Sequence, residues 1–266
     1  MLKANYHTHT FRCGHARGED EEYVIEALGS GLVELGFSDH IMLPGYSEPG
    51  IRGDFSLFFD YINSISNLKN KYADRIKIFT GFEAESFPMF FPYYRELVTN
   101  KTVDYLILGN HSCLDENKKV VCHFSKIKSP SELYLYRDLA FSALQSGYFS
   151  CFAHPDYFMS SIRQIDHDVK KVMLDIVSCA VNLDIPLEIN LAGIRNGIKT
   201  IGDEKRYVYP TELFLKTCKK LHAKVIFGQD AHAPDQIDDE VANMKAIEMV
   251  RKYDLNVVEY LSFKKN

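Results

Sequence analysis

Seven times along this chain a short apolar run ends in a cluster of polar residues, and six of the seven runs give way to a longer stretch with helical spacing. The runs cover residues 3–6, 32–37, 76–82, 105–108, 149–153, 186–191 and 224–228. Helices are predicted over about 19–28, 55–72, 131–145, 168–181, 211–221 and 240–252, with a closing segment at 256–261. Two of the helix starts carry their own signals: four acidic residues from Glu19 to Glu22, and Ser129-Pro130 followed by Glu132. Near-continuous apolar strands separated by helices form parallel sheets covered on their faces. The polar clusters fall at the C-terminal strand ends, where active sites of barrels and of open α/β sheets are built. A barrel gathers all these ends at one mouth, whereas an open sheet spreads them along a line. The expected fold is therefore α/β, a distorted seven-stranded (β/α)7 barrel of TIM-barrel type. It spans residues 1–266 as one domain, with its chemistry at the C-terminal strand ends.

A chain of 266 residues is ample for one large core. Its net charge of −5, without a basic stripe or paired aromatics in a groove, argues against a nucleic-acid substrate or an anionic membrane surface. The start lacks a signal peptide's apolar core, and no apolar run approaches the ~20 residues that a membrane span needs. Cys13, Cys113, Cys122, Cys151, Cys179 and Cys218 are scattered, with no C-x-x-C pair. That pattern argues against a disulfide framework and a thiolate zinc site, so reduced thiols in the cytoplasm are expected.

The polar clusters are rich in metal-binding side chains. In His7-Thr8-His9 strand alternation points both imidazoles to one side. Alone, such a pair could equally be a polar strand tip. Later strand ends add His40, Glu83, His111, His154, Asp230 and His232, and the first loop adds His15. One ion takes about four protein ligands, or fewer when a position stays open, so these nine residues exceed one ion's needs. They suffice for two or three ions with Glu83 as a bridge. The other histidines read differently: His222 near a helix end suits the dipole there, and His167 between two aspartates suits a helix start. His123, in a loop, is open to either reading.

The ordered set His7-Thr8-His9, Asp39-His40, Glu83, Asn110-His111, Ala153-His154-Pro155-Asp156 and Asp230-Ala231-His232 resembles the PHP (polymerase and histidinol phosphatase) family over residues 5–232. Cys13-Gly14-His15-Ala16, Gly81-Phe82-Glu83 and the segment 195–210 most resemble its monofunctional histidinol-phosphate phosphatases. The resemblance implies the seven-stranded barrel and three divalent ions. One ion would take His7, His9, Glu83 and Asp230. A second would share Glu83 with His111 and His154, and a third would take His15, His40 and His232. Zinc, iron and manganese all suit these donors. The implied reaction is hydrolysis of L-histidinol phosphate to L-histidinol and phosphate in histidine biosynthesis, with Glu83 and Asp230 positioning a bridging hydroxide for in-line attack. Phosphate calls for arginine: Arg195 first, then Arg17 and Arg163. Loop 41–54 and the aromatics of 87–94 are candidates for the wall facing the amine and imidazole, the aromatics serving equally well as core. Two rival readings are a PHP phosphoesterase for nucleotides or other small phosphates, and a non-catalytic regulatory barrel that binds metal.

Overall fold

In the computed structural model, which describes residues 2–263, the main sheet contains eight parallel strands rather than seven. The first residue and the last three of the expected 1–266 domain lie outside this description. The chain begins with β1 (Ala4–Asn5), α1 (Asp20–Gly29), β2 (Glu34–Phe37), α2 (Phe58–Lys71), β3 (Lys77–Ala84), α3 (Phe91–Thr99) and β4 (Tyr105–Leu108). A hairpin, β5 (Ser112–Leu114) and β6 (Val120–His123), precedes α4 (Pro130–Gln145), β7 (Cys151–Phe152), α5 (His167–Asn182) and β8 (Leu187–Asn190). There follow α6 (Leu191–Arg195), a second hairpin of β9 (Lys199–Ile201) and β10 (Glu204–Arg206), α7 (Glu212–Leu221), β11 (Lys224–Gly228), α8 (Glu240–Tyr253) and β12 (Asn256–Val257).

The sheet order is β1-β2-β3-β4-β7-β8-β11-β12, so successive strand–helix units lie side by side. The extra strand is β12, whose two exposed residues pair with the start of β11. Beyond the other end of β11, Ala231 forms a parallel bridge with Thr8. His9 N donates to Ala231 O at 2.9 Å, and Ala231 N donates to His7 O at 3.2 Å. The two ends of the sheet thus approach each other at the level of the polar clusters.

Local sequence fixes the helix starts. Glu19 and Glu22 form a reciprocal capping box at α1. Ser129, Asp166, Thr211 and Asp239 each accept an amide N–H at the start of α4, α5, α7 and α8. Residues of β4 and β8 are buried throughout, as parallel strands covered by helices require.

Several sequence expectations are corrected. The stretch 55–72 starts as a 3-10 turn (Phe55–Leu57) before α2, and α3 and both hairpins were not foreseen. The segment directly after β8 is a short helix that Arg195 ends. Cys113 and Cys122 stand opposite each other in the β5–β6 hairpin, with a Cα separation of 5.4 Å, and form a disulfide. The expectation of six reduced thiols therefore fails for this pair, while the other four cysteines are free. Among the described residues no helix is long and apolar enough to cross a membrane.

Candidate metal centre

The nine residues singled out in the sequence come together at the C-terminal ends of the strands. His7 and His9 follow β1, and His40 follows β2, where it bridges to Glu83 near the end of β3. His111 follows β4, His154 follows β7, and Asp230 and His232 follow β11. His15 reaches in from the loop after β1. Three strand exits turn abruptly through left-handed backbone: Asn110 (φ 52°), His154 (φ 30°) and Asp230 (φ 48°). Such conformations are uncommon away from glycine and concentrate at functional sites.

Glu83 occupies the middle. Its Oε1 lies 2.8 Å from His154 Nε2 and 3.4 Å from His111 Nε2. Its Oε2 lies 3.0 Å from His40 Nδ1, 3.6 Å from His9 Nε2 and 3.7 Å from His7 Nε2. Asp230 Oδ1 is 3.1 Å from His9 Nε2 and 3.6 Å from His7 Nε2. One carboxylate therefore faces two groups of imidazoles with its two oxygens.

The ring orientations test whether these residues fit metal ions. His7 Nδ1 donates to Glu188 Oε1 at 2.7 Å, and His111 Nδ1 donates to Glu85 Oε1 at 2.8 Å. His232 Nδ1 donates to the Asp230 carbonyl at 3.2 Å and His15 Nδ1 to the Cys13 carbonyl at 3.4 Å. Each bond places a proton on Nδ1 and leaves the neutral ring's lone pair on Nε2, as metal-binding histidines require. These Nε2 atoms face other ring nitrogens: His7 Nε2 is 3.1 Å from His9 Nε2, and His15 Nε2 is 3.0 Å from His232 Nε2. Facing lone pairs repel unless a cation or proton lies between them. The buried Nδ1 atoms of His9, His40 and His154 have no hydrogen-bond partner, and the short approach of His40 Nδ1 to Glu83 lies outside hydrogen-bonding geometry. Donor atoms of His7, His9 and Asp230, of His7, Glu83 and His154, and of His9, His40 and His232 each fall within 4.8 Å of one another. Imidazole with carboxylate at this spacing fits divalent transition ions.

Glu188 is itself held in place. Its Oε2 accepts His154 N at 3.0 Å and Asn190 Nδ2 at 2.8 Å, and Asn190 also reaches Asp230 Oδ2 at 3.1 Å. Gly228 makes room for it: a Cβ there would fall 1.7 Å from Glu188 Oε1. Asp39 accepts from the Thr10 hydroxyl and from His40 N, and lies 3.4 Å from His9 Nδ1.

The electrostatics divide the cluster. Burial disfavours a charged His7, His9 or His111, yet nearby carboxylates outweigh it. Glu188, Asp230 and Glu83 raise His7 well above the usual imidazole range. Asp230 and Asp39 bring His9 to about 9, and Glu85 and Glu83 bring His111 to about 9. Against the same burial, the histidines hold Glu83 and Asp230 well below the carboxylate range. His40 and His232 behave oppositely. Burial and then the neighbouring His9 push them down to about 4 and about 3, so both rings are neutral at physiological pH.

A cavity of about 660 Å³ opens over the cluster. Arg195 lines it, with Nη2 donating to the carbonyls of Gln229 (2.5 Å) and Asp230 (3.0 Å). Tyr157 and Tyr209 line it beside His154. Tyr209 precedes a cis proline, and its carbonyl lies 2.0 Å from where a Cβ on Gly193 would stand. The other two arginines lie elsewhere. Arg17 is exposed and pairs with Asp235 at 3.3 Å, while Arg163 lines a separate surface cavity with Lys126 and Lys128. Loop 41–54 supplies Glu48, Ile51 and Arg52 to the wall, whereas Phe87, Phe90 and Tyr94 pack in the core. His123 lines the cavity from β6; His222 caps the end of α7 and His167 opens α5.

Sequence reasoning passed over Glu85, Glu188, Asn190 and Arg52. A signal for three of them was present in strand alternation: Glu85 shares a strand face with Glu83, and Glu188 and Asn190 share one within an otherwise apolar β8. Arg52 had none, because its partners Glu48 and Glu85 include one far along the chain.

The chain is similar to known proteins along most of its length. It is 26% identical over 239 residues to a "Probable histidinol-phosphatase" of Deinococcus radiodurans, covering 87% of this chain and 86% of that one. It is 25% identical over 262 residues to a histidinol-phosphatase of Lactococcus lactis, covering 95% and 91%. Its fold matches the crystal structure of the Lactococcus lactis histidinol phosphate phosphatase complexed with zinc, L-histidinol and phosphate. That match has a TM-score of 0.72 at 20% identity and covers 98% of this chain and all of the other. The family model named PHP domain matches residues 5–192, which include five of the six strand ends that carry the cluster. With that match across most of its length, the chain belongs to the PHP domain family.

Proposed function

We propose that this protein is a metal-dependent phosphomonoesterase that hydrolyses L-histidinol phosphate to L-histidinol and phosphate, as a cytoplasmic single-domain enzyme of histidine biosynthesis. The observation that carries the reading is Glu83, facing two sets of imidazoles beneath a cavity that also presents Arg195. The names of the relatives, and the zinc, histidinol and phosphate in the related crystal structure, support the substrate.

In this reading three ions are held, zinc, iron or manganese, with zinc the first to test. His7, His9, Glu83 and Asp230 hold one. Glu83 with His111 and His154 holds the second, and His15, His40 and His232 hold the third. Phosphomonoester hydrolysis is among the slowest uncatalysed reactions. Bound divalent ions supply a water-derived nucleophile at neutral pH and neutralise phosphate oxygens. The protein's own groups do the rest. Glu188 and Glu85 keep His7 and His111 oriented through their Nδ1 hydrogen bonds, and the Asp39 carboxylate faces His9 Nδ1 at 3.4 Å. Glu83 and Asp230, ionised at neutral pH, would balance the positive charge of the ions and help to position the nucleophile. Arg195 adds a planar cation for phosphate, fixed by its bonds to the Gln229 and Asp230 carbonyls. Tyr157 and Tyr209, kept protonated chiefly by burial, line the same wall.

A substrate panel tests this reading. Phosphate release from L-histidinol phosphate is expected to exceed that from nucleoside monophosphates and sugar phosphates by orders of magnitude in kcat/KM. A preference for another phosphoester would overturn the substrate, and a fully metallated protein inactive on every ester would overturn the enzyme.

A further inference from the structure

The cavity wall carries four carboxylates, and three belong to the histidine cluster. Glu83 and Asp230 lie among the rings, and Glu85 accepts from both nitrogens of His111 that face it, backbone and ring. The fourth is Glu48, in the turn between β2 and α2. Its Oε2 accepts Arg52 Nε at 2.9 Å, and Arg52 Nη2 donates onward to Glu85 Oε1 at 3.2 Å. Arg52 is itself anchored. Its side chain is 1% exposed, its Nη1 donates to the Ile41 carbonyl, and its guanidinium lies near the Tyr46 and Phe87 rings. One buried cation is thus shared by two carboxylates; Glu85 is further engaged by His111, whereas among the described residues Glu48 pairs with no cation besides Arg52. Glu48 is the more accessible of the two, at 17% exposure against 2% for Glu85.

The reacting end of the cavity has the opposite demand. Metal ions and Arg195 suit a phosphate dianion, and none of them attracts the rest of a cationic substrate. L-Histidinol phosphate joins a phosphate to an ammonium through a two-carbon link, so its productive pose needs a negative group on the wall that is not consumed by metal. We infer that Glu48, held in place by Arg52, binds the substrate ammonium and makes this site selective for aminoalkyl phosphates over alkyl phosphates. The inference rests on the proposed histidinol-phosphate reading and names the residue that distinguishes that substrate from a plain monoester. Arg52 is a positioning residue here, acting through Glu48.

The test compares L-histidinol phosphate with its deamino analogue, 3-(imidazol-4-yl)propyl phosphate, on metal-loaded wild type, Glu48→Gln and Glu48→Asp. Loss of one charge-assisted contact is worth about tenfold to a hundredfold. The ratio of kcat/KM between the two esters is expected to fall at least tenfold in Glu48→Gln, mainly through KM for the amine. Glu48→Asp, which keeps the charge, is expected to recover part of the ratio. L-Histidinol titrated calorimetrically into the same metal-loaded proteins gives a second readout, and its affinity is expected to fall in parallel. Metal content and melting temperature show whether the variants are folded. A ratio unchanged within twofold in folded Glu48→Gln would overturn the role of Glu48 alone. A wild type that turns over neither ester would overturn the substrate reading and this inference together.

Discussion

Glu188→Gln removes no atom from the metal centre and changes no volume, yet it is expected to weaken metal binding at His7 by tenfold to a hundredfold. The carboxylate accepts three bonds: His7 Nδ1 on Oε1, and His154 N and Asn190 Nδ2 on Oε2. An amide offers one acceptor and one donor group. If its NH2 faces His154 N and Asn190, donors confront donors at two buried contacts. If it faces His7, the ring must accept at Nδ1 and carry its proton on Nε2, the atom that faces His9 at 3.1 Å and is needed as a ligand. Either arrangement leaves a buried polar group unpaired or the wrong tautomer in place, and outer partners of this kind contribute about 1.4–2.7 kcal/mol to metal affinity. Competition with a chromophoric chelator measures the affinity, and circular dichroism of the metal-free protein checks the fold. A folded variant whose affinities all match wild type within twofold would refute the assignment of His7 Nδ1–H to Glu188, and with it the use of Nε2 as the ligand atom.

Gly228→Ala is expected to displace Glu188, since the new methyl would sit 1.7 Å from Oε1. Melting of the metal-free protein should show a loss of about 1–3 kcal/mol, and an unchanged melting temperature would contradict the packing argument. Arg195→Ala is expected to lower kcat/KM about tenfold to a hundredfold while metal content stays at the wild-type level; unchanged kinetics would remove Arg195 from phosphate binding. Zinc added to metal-free protein at pH 7.5 is expected to release roughly three protons from His7, His9 and His111, the first raised well above the usual imidazole range and the other two to about 9. The sign follows from linkage. Raised in the fold, His9 and His111 stabilise the metal-free protein fully below about pH 6.5 and lose that contribution as pH rises through about 9. Titration in weak buffer measures the release, and zinc binding without it would show that these rings are not ligands.

The parallel strands were legible because each is a nearly unbroken apolar run that must be covered on both faces. The runs at β4 and β11 match their strands residue for residue. The eighth strand was not, because Asn256–Val257 is short and exposed and carries no such run. The disulfide was not legible either. It depends on Cys113 and Cys122 standing opposite each other across β5 and β6, a register set by the hairpin and not by cysteine spacing. In the site, histidines stood out because they cluster at strand ends, and their convergence follows from topology. Arg17 and Arg163 illustrate the limit of proximity in sequence. Each neighbours a site loop, but one pairs with Asp235 on the surface and the other lines a different cavity. The groups that orient the rings were harder to read, since Glu188 acts on His7 from 181 positions away.

The central claim is that this cluster of histidines and carboxylates is a working metal centre for phosphate ester hydrolysis. Metal content and phosphate release from L-histidinol phosphate, measured on one sample before and after complete chelation, test it directly. The expected result is about three divalent ions per chain, with turnover lost on chelation and restored when metal returns. Turnover that survives complete removal of metal, or full occupancy without turnover, would contradict it.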